Sequence, residues 1–307
     1  MIYTVTLNPC IDLYAAAGEV IPGGLHRYRE NWIAPGGKGI NVSLMLTHLG
    51  AETQAAGFVA GFSGREIVHL LGEEGCPSDL IQLPAGFSRI NLNLTSPEET
   101  ETAFNGVGPE IPEEAVQVLE TRIRALSPGD VLVLAGSVPD SLPVDIYARL
   151  LRAAPEEVLT VVDTAGEALT SALEERPWLV KPNVEELGAL FDAEITGTEG
   201  TRQCARALQE MGARNIAVSM GARGALLLEE TGRTLFCHSA AGEAVSTVGA
   251  GDSLVAGFLY GLKLHGNLEG ALRWGVAAGA ATAFSRGIAS REAVMDAYTK
   301  TGSVHPV

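Results

Sequence analysis

The run Ser246-Thr247-Val248-Gly249-Ala250-Gly251-Asp252-Ser253 passes directly into the apolar stretch Leu254-Val255-Ala256-Gly257-Phe258-Leu259. Small residues at a helix start let backbone N–H groups approach an anion closely, and the helix dipole adds partial positive charge there. A phosphoryl group suits such a place. A carboxylate beside it would repel the phosphate unless it accepts a proton, which makes Asp252 a candidate general base. Taken locally, a second reading is equally good: Asp252 caps the helix and favours its dipole.

Three further segments have the composition of ligand-binding turns. Pro35-Gly36-Gly37-Lys38-Gly39-Ile40-Asn41-Val42 is glycine-rich and leads into an apolar helix. Its backbone can approach a polar ligand, with Lys38 supplying charge and Asn41 a side-chain amide; a turn with a solvated lysine is the weaker reading. Lys181-Pro182-Asn183-Val184-Glu185-Glu186-Leu187 stands at a strand end and helix start. Asn183 and Glu186, three apart, can orient metal-bound water near a triphosphate, but the same pair also spells a capping box, and on local grounds the cap is favoured. Ser219-Met220-Gly221-Ala222-Arg223-Gly224 is a turn between two strands that could approach a nucleotide, and Asp12 is either a turn residue or an acceptor for sugar hydroxyls.

Other phosphate motifs fail. A Walker loop needs glycine where the chain has Trp32, and Gly39 follows Lys38 in place of serine or threonine; a dinucleotide fingerprint needs a third glycine where Leu254 stands.

These segments must be positioned by a larger frame. Short apolar strands alternate with polar or glycine-rich turns and amphipathic helices along most of the 307 residues, the pattern of an α/β fold with a mainly parallel sheet between two helical layers. Strands are predicted at 2–7, 53–59, 130–135, 158–163, 178–180 and 215–219. Helices are predicted near 38–49, 64–74, 112–126, 143–153, 184–191, 200–211, 252–265, 268–285 and 290–299. The strand ends Thr6-Leu7-Asn8, Ala135-Gly136-Ser137, Val162-Asp163-Thr164, Lys181-Pro182-Asn183 and Ser219-Met220-Gly221 should line one cleft, because ligands of parallel sheets bind outside the carboxyl ends of strands.

Two segments break the rhythm. Residues 12–33 show no clear helix, and 88–107 alternate Ile90, Leu92 and Leu94 against Arg89, Asn91 and Asn93, as a strand with one apolar and one polar face does. They are read as a small β-sheet lid inserted into a single domain spanning 1–307, although a hairpin extending the main sheet fits the alternation equally well.

Composition limits the partners. With 21 Lys and Arg against 37 Asp and Glu, the net charge of -16 disfavours nucleic acid and anionic membranes, so an anionic ligand must be held by a few local cations. Cys10, Cys76, Cys204 and Cys237 have no metal-ligand spacing and read as buried thiols. No apolar run has the length of a membrane span, and Met1-Ile2-Tyr3-Thr4-Val5 carries no secretion signal, so a cytoplasmic protein is expected.

Taken in this order, the motifs Pro35 to Val42, Arg89-Ile90-Asn91, Lys181-Pro182-Asn183 with Glu186, and Thr247 to Ser253 resemble the PfkB family of ribokinase-like carbohydrate kinases. The resemblance runs from Thr4 through the terminal helices and is closest to the members that act on fructose 1-phosphate. It implies a three-layer αβα fold and transfer of the ATP γ-phosphate to the 6-hydroxyl of that sugar. By the resemblance, Asp252 is the base and the N–H groups of Gly249, Ala250 and Gly251 form an anion hole. Asp12, Gly36, Gly37 and Asn41 hold the sugar, with Ser137 on the same side. Lys38 and Arg89 take its existing phosphate, with Arg27 as a further cation carried by the lid. Lys181, Asn183, Ser219, Gly221 and Gly224 line the ATP site, and Asn183 with Glu186 organises Mg²⁺ through water. The resemblance also leaves room for a monovalent cation and for a homodimer formed through the lid.

The chain departs from the family pattern on the sugar side: Cys10 replaces alanine or serine, Asn93 replaces a frequent lysine, and Glu101-Thr102-Ala103-Phe104-Asn105-Gly106 is a looser match. Tagatose-6-phosphate kinase and 6-phosphofructokinase activities of the same family are therefore the nearest competing expectations. A non-catalytic sugar-phosphate sensor would be expected to have lost Asp252 or its flanking glycines, and both are kept.

Overall fold

Successive residues of the apolar run Val131–Ala135 serve two different cores: Leu132 and Leu134 join one, Val133 and Ala135 the other. A strand buried on both faces belongs in the middle of a parallel sheet covered by helices. The computed structural model, which describes residues 1–16, 20–21, 23–28, 30–95 and 101–307, has this architecture.

The first half of the chain runs β1 (Ile2–Thr6), β2 (Cys10–Ala16), β3 (Glu30–Gly36), α1 (Lys38–Leu49), β4 (Thr53–Ala60), α2 (Gly61–Glu73), β5 (Ser78–Leu83), β6 (Arg89–Thr95), β7 (Glu101–Phe104) and α3 (Glu113–Arg124). The second half runs β8 (Val131–Ala135), α4 (Ile146–Ala153), β9 (Leu159–Asp163), α5 (Gly166–Leu173), β10 (Leu179–Val180), α6 (Val184–Phe191), α7 (Gly197–Glu210), β11 (Asn215–Ser219), β12 (Gly224–Leu228), β13 (Thr234–His238), α8 (Ala250–His265), α9 (Leu268–Ala283), α10 (Arg291–Lys300) and β14 (His305–Pro306). The large sheet has the order β14-β13-β12-β11-β10-β9-β8-β1-β4-β5. It is parallel from β11 to β5 and antiparallel at the β12–β14 end. One helical layer packs residues such as Leu119, Leu150 and Leu208 on one face; the other packs Met45, Phe258 and Val276 on the opposite face.

From β1 the chain builds outward to β4 and β5, then returns to lay β8 on the other side of β1 and continues to β11. The direction of winding reverses at β1 and β8, and such a switch point opens a crevice at the carboxyl ends of the strands. Near this crevice the end of β9 meets the start of α1 and the residue after β10, and α1 in turn meets the starts of α6 and α8.

The strands at 53–59, 130–135, 158–163, 178–180 and 215–219 and the nine expected helices are present, shifted by a few residues at their ends. Not foreseen were β5, a partly exposed edge strand, the short helix α5, and the strands β13 and β14 that add the antiparallel end of the sheet.

The interrupting segments form a separate four-stranded sheet of order β3-β2-β6-β7 and do not extend the large sheet. Parts of the two expected insertions, at 17–19, 22, 29 and 96–100, lie outside the described residues. In β6 the two faces are inverted from the usual arrangement: Asn91 and Asn93 are buried, whereas Ile90 is 37% exposed and Leu92 and Leu94 are partly exposed. Among the described residues, no helix is long and apolar enough to cross a membrane.

Candidate active site

Gly249 is the N-cap of α8 and has φ 77°, in the left-handed region that favours glycine. The helix therefore starts at Ala250, two residues before the predicted start at 252, and Asp252 falls within its first turn. Asp252 makes no capping bond. Its Oδ2 instead accepts from Asn41 Nδ2 at 2.8 Å, which joins the starts of α1 and α8. The first intrahelical bond runs from Ser253 N–H to Gly249 C=O at 2.8 Å. The amides of Gly251 and Asp252 thus precede any intrahelical acceptor, while Ala250 N–H reaches the Thr247 carbonyl at 3.3 Å.

The Asp252 side chain is only 6% exposed. Burial pushes its carboxyl up, and the negative charge of Asp163 pushes the same way; Lys38, the Asn41 hydrogen bond and Lys181 oppose them, leaving it at about 6. Such a group is ionised at neutral pH but retains appreciable proton affinity, the condition for a general base.

Two motif lysines, one of them also paired with Glu186, gather on a residue to which the sequence motifs gave no role. Asp163, the last residue of β9, is fully buried, and its Oδ1 lies 2.9 Å from Lys38 Nζ and 3.4 Å from Lys181 Nζ. Burial pushes the Asp163 carboxyl up, but Lys181 and Lys38 overcome this and hold it below the usual carboxylate range. Burial likewise pulls Lys38 down, and Asp163, Glu186 and Asp252 more than reverse it. Lys38 is therefore an ion-paired ammonium, not a solvated turn residue, with Glu186 Oε1 as a second partner at 3.6 Å. The signal for Asp163 was present in the sequence: a carboxylate closing a strand directly after the apolar pair Val161 and Val162, both buried.

Asn183 and Glu186 form the capping box that local reading favoured. Asn183 Oδ1 accepts from Glu186 N–H at 2.6 Å, and Glu186 Oε2 accepts from Asn183 N–H at 2.8 Å. The cap leaves Glu186 Oε1 turned to Lys38. Asp163 Oδ2 is buried without a hydrogen-bond partner. These carboxylate oxygens are hard donors of the kind Mg²⁺ takes, directly or through water. Among the described residues there is no group of three or more acidic, histidine or cysteine side chains that could hold a metal alone.

On the small sheet, Asp12 Oδ1 accepts from Asn91 Nδ2 at 2.7 Å, and Asp12 packs so closely over Gly36 that a Cβ there would overlap its Oδ2. Arg89 Nε donates to the Asn8 carbonyl at 3.0 Å, which carries the guanidinium across to the end of β1. Gly37 is the N-cap of α1, packed over Thr6. A cleft of about 780 Å³ includes Asp12, Ala34, Asn41, Ser246, Val248 and Ile288 in its walls, so it lies between the small sheet and the loop that enters α8. Ser219 pairs with Asn183 as an isolated parallel bridge, Gly221 opens a short 3-10 turn, and Gly224 begins β12 against the Cys237 carbonyl. Arg27 and Ser137 are exposed, and among the described residues no hydrogen bond ties either to this cluster.

One buried carboxylate with near-neutral proton affinity thus stands at an amide-rich helix start, with two ammonium groups gathered on a second carboxylate nearby. The arrangement can take a proton from an alcohol while stabilising an anion that moves toward it. The family model described as pfkB family carbohydrate kinase matches residues 3–293. The chain is 42% identical over 295 residues to the 1-phosphofructokinase of Bacillus subtilis (strain 168), covering 96% of each chain. It is 37% identical to the D-tagatose-1-phosphate kinase of Bacillus licheniformis, covering 94% of each. Its fold matches the crystal structure of phosphofructokinase-2 from Escherichia coli in complex with fructose-6-phosphate with a TM-score of 0.89 and 31% identity, over 97% of this chain and 98% of that one. By fold and by sequence, this chain belongs to the pfkB family of carbohydrate kinases.

Proposed function

We propose that this ATP-dependent sugar kinase phosphorylates fructose 1-phosphate at its 6-hydroxyl, giving fructose 1,6-bisphosphate, with Asp252 as general base. The observation that carries the chemistry is the raised, buried carboxyl of Asp252 at the first turn of α8. Phosphoryl transfer asks the protein mainly for alignment and charge stabilisation. Asp252, oriented by Asn41, receives the hydroxyl proton, and the amides around Gly249, Ala250 and Gly251 steady the γ-phosphoryl oxygens. ATP lies along Lys181, Asn183, Ser219, Gly221 and Gly224.

Lys38 shares Asp163 with Lys181, which favours a place beside the moving phosphate over one on the sugar's own phosphate. Arg89 then remains as the principal cation for that resident phosphate, with Arg27 as a second. Asp12, Gly36, Gly37 and Asn41 meet the sugar hydroxyls, with Ser137 at the rim. Magnesium accompanying ATP would be met by Glu186 and Asn183 through water, and by the unpartnered oxygen of Asp163; when bound it supplies positive charge to the phosphate oxygens.

The choice of a 1-phosphorylated ketohexose is supported by the relatives in Bacillus subtilis and Bacillus licheniformis, whose names both specify such a sugar. The second of them makes tagatose 1-phosphate the competing substrate. The deciding experiment compares kcat/KM with ATP for fructose 1-phosphate, tagatose 1-phosphate, tagatose 6-phosphate and fructose 6-phosphate. Fructose 1-phosphate is expected to give the highest value, and a higher one for any of the other three would replace it.

The small sheet is proposed to serve as a lid and as a dimer surface. Ile33, Leu13, Leu92 and Phe104 are registered side by side across its four strands, and Ile33 and Phe104 are exposed on the resulting face. A second copy of the same face is the partner that such an apolar row fits.

A further inference from the structure

The Asp12 carboxylate is held before any sugar arrives. Its Oδ1 takes two donors, Asn91 Nδ2 at 2.7 Å and Cys10 Sγ at 3.3 Å. The Asn91 side chain has no freedom to flip, because its own Oδ1 accepts from Gly106 N–H at 3.2 Å and so turns the amide nitrogen toward Asp12. The three residues share one face of the small sheet: Cys10 and Asp12 are two apart on β2, and Asp12 is in register with Asn91 on β6. Cys10 is 1% exposed. Burial, followed by the charge of Asp12, pushes its thiol far above the usual range, so it stays a neutral S–H donor. With both donors on Oδ1, the other oxygen, poised over Gly36, remains for a ligand.

We propose that Cys10 and Asn91 are positioning residues for the phosphoryl acceptor, locking Asp12 in the rotamer whose Oδ2 meets the sugar hydroxyls. The inference rests on the reading above that Asp12 binds the sugar. A carboxylate ordered in advance loses less side-chain freedom on binding, so the benefit should appear in affinity for the sugar and not in the chemical step.

The test begins with Asp12→Ala and the KM for fructose 1-phosphate. If that KM is unchanged, the sugar-site reading itself fails and the inference falls with it. With KM raised, Asn91→Ala is expected to raise it about 10-fold, as loss of a hydrogen bond to a charged group does. Cys10→Ala is expected to raise it about threefold, since S–H is the weaker donor. The KM for ATP and the melting temperature of the Cys10 variants should stay close to the parent. Cys10→Ser, which restores a donor, should bring the sugar KM back, and Cys10→Ala should add nothing in the Asp12→Ala background. The inference is overturned if serine behaves as alanine does, if Cys10→Ala has the same effect with and without Asp12, or if neither Cys10→Ala nor Asn91→Ala moves the sugar KM. Should Asn91→Ala not fold, the Cys10 pair decides the matter alone.

Discussion

Asp252, the proposed base, has its proton affinity raised at the expense of stability. Its folded value of about 6 lies above the ordinary 3.8, so the folded protein binds the proton more tightly than the unfolded chain does. The corresponding stability is fully present below about pH 4 and is lost as pH rises through 6, leaving a net cost at neutral pH. Asp252→Asn should therefore raise the melting temperature at pH 7 while lowering kcat by roughly 10²–10⁴-fold, the usual share of a general base; near-parental turnover would remove the assignment. In the parent, kcat/KM should decline as pH falls below about 6, where the carboxyl becomes protonated. Asp163→Asn should move that acid limb to lower pH, because the charge of Asp163 helps to raise Asp252. An unmoved limb in a folded variant would mean that the two carboxylates do not sense each other. The motif around Asp252 was legible in the sequence, but whether the residue capped the helix or faced the cleft was not, since both uses ask for the same residue at the same place.

At the level of the elements, one turn aims the site. Gly249 combines a positive φ with a close neighbour: a Cβ there would stand 2.7 Å from Ile288 Cδ1. Gly249→Ala should cost about 1–2 kcal/mol through the left-handed backbone alone, measurable by denaturant unfolding. It should also lower kcat more than either KM, because the first-turn amides would shift against the moving phosphate. Parental kcat in that variant would separate the amides from catalysis. The small sheet teaches a related point about period-2 patterns. The alternation of Arg89, Asn91 and Asn93 with Ile90, Leu92 and Leu94 correctly marks a two-faced strand, yet the polar face turns inward and the apolar face outward. Alternation separates two faces, and only what each face packs against decides which is buried.

For the whole molecule, the outward apolar row on the small sheet predicts association. Sedimentation velocity should find the parent as a dimer and Leu92→Glu combined with Phe104→Glu as a monomer; a monomeric parent, or a dimeric variant, would remove the proposed lid interface. The order of strands and helices, the glycine-rich turns and the motif residues were readable along the chain because each depends on neighbours a few positions away. Asp163 was placed at a cleft-lining strand end but given no role for the opposite reason: its ion pairs come from Lys38, 125 positions before it, and from Lys181, just past the end of the next strand, and no local pattern joins them. The same holds for Asn41 on Asp252 and for Asn91 on Asp12, pairs far apart in the chain that only the packing of helices and the pairing of β2 with β6 bring together. Local chemistry is written in short stretches of sequence, whereas the field around a charge is the sum of everything that packing brings within a few ångströms of it.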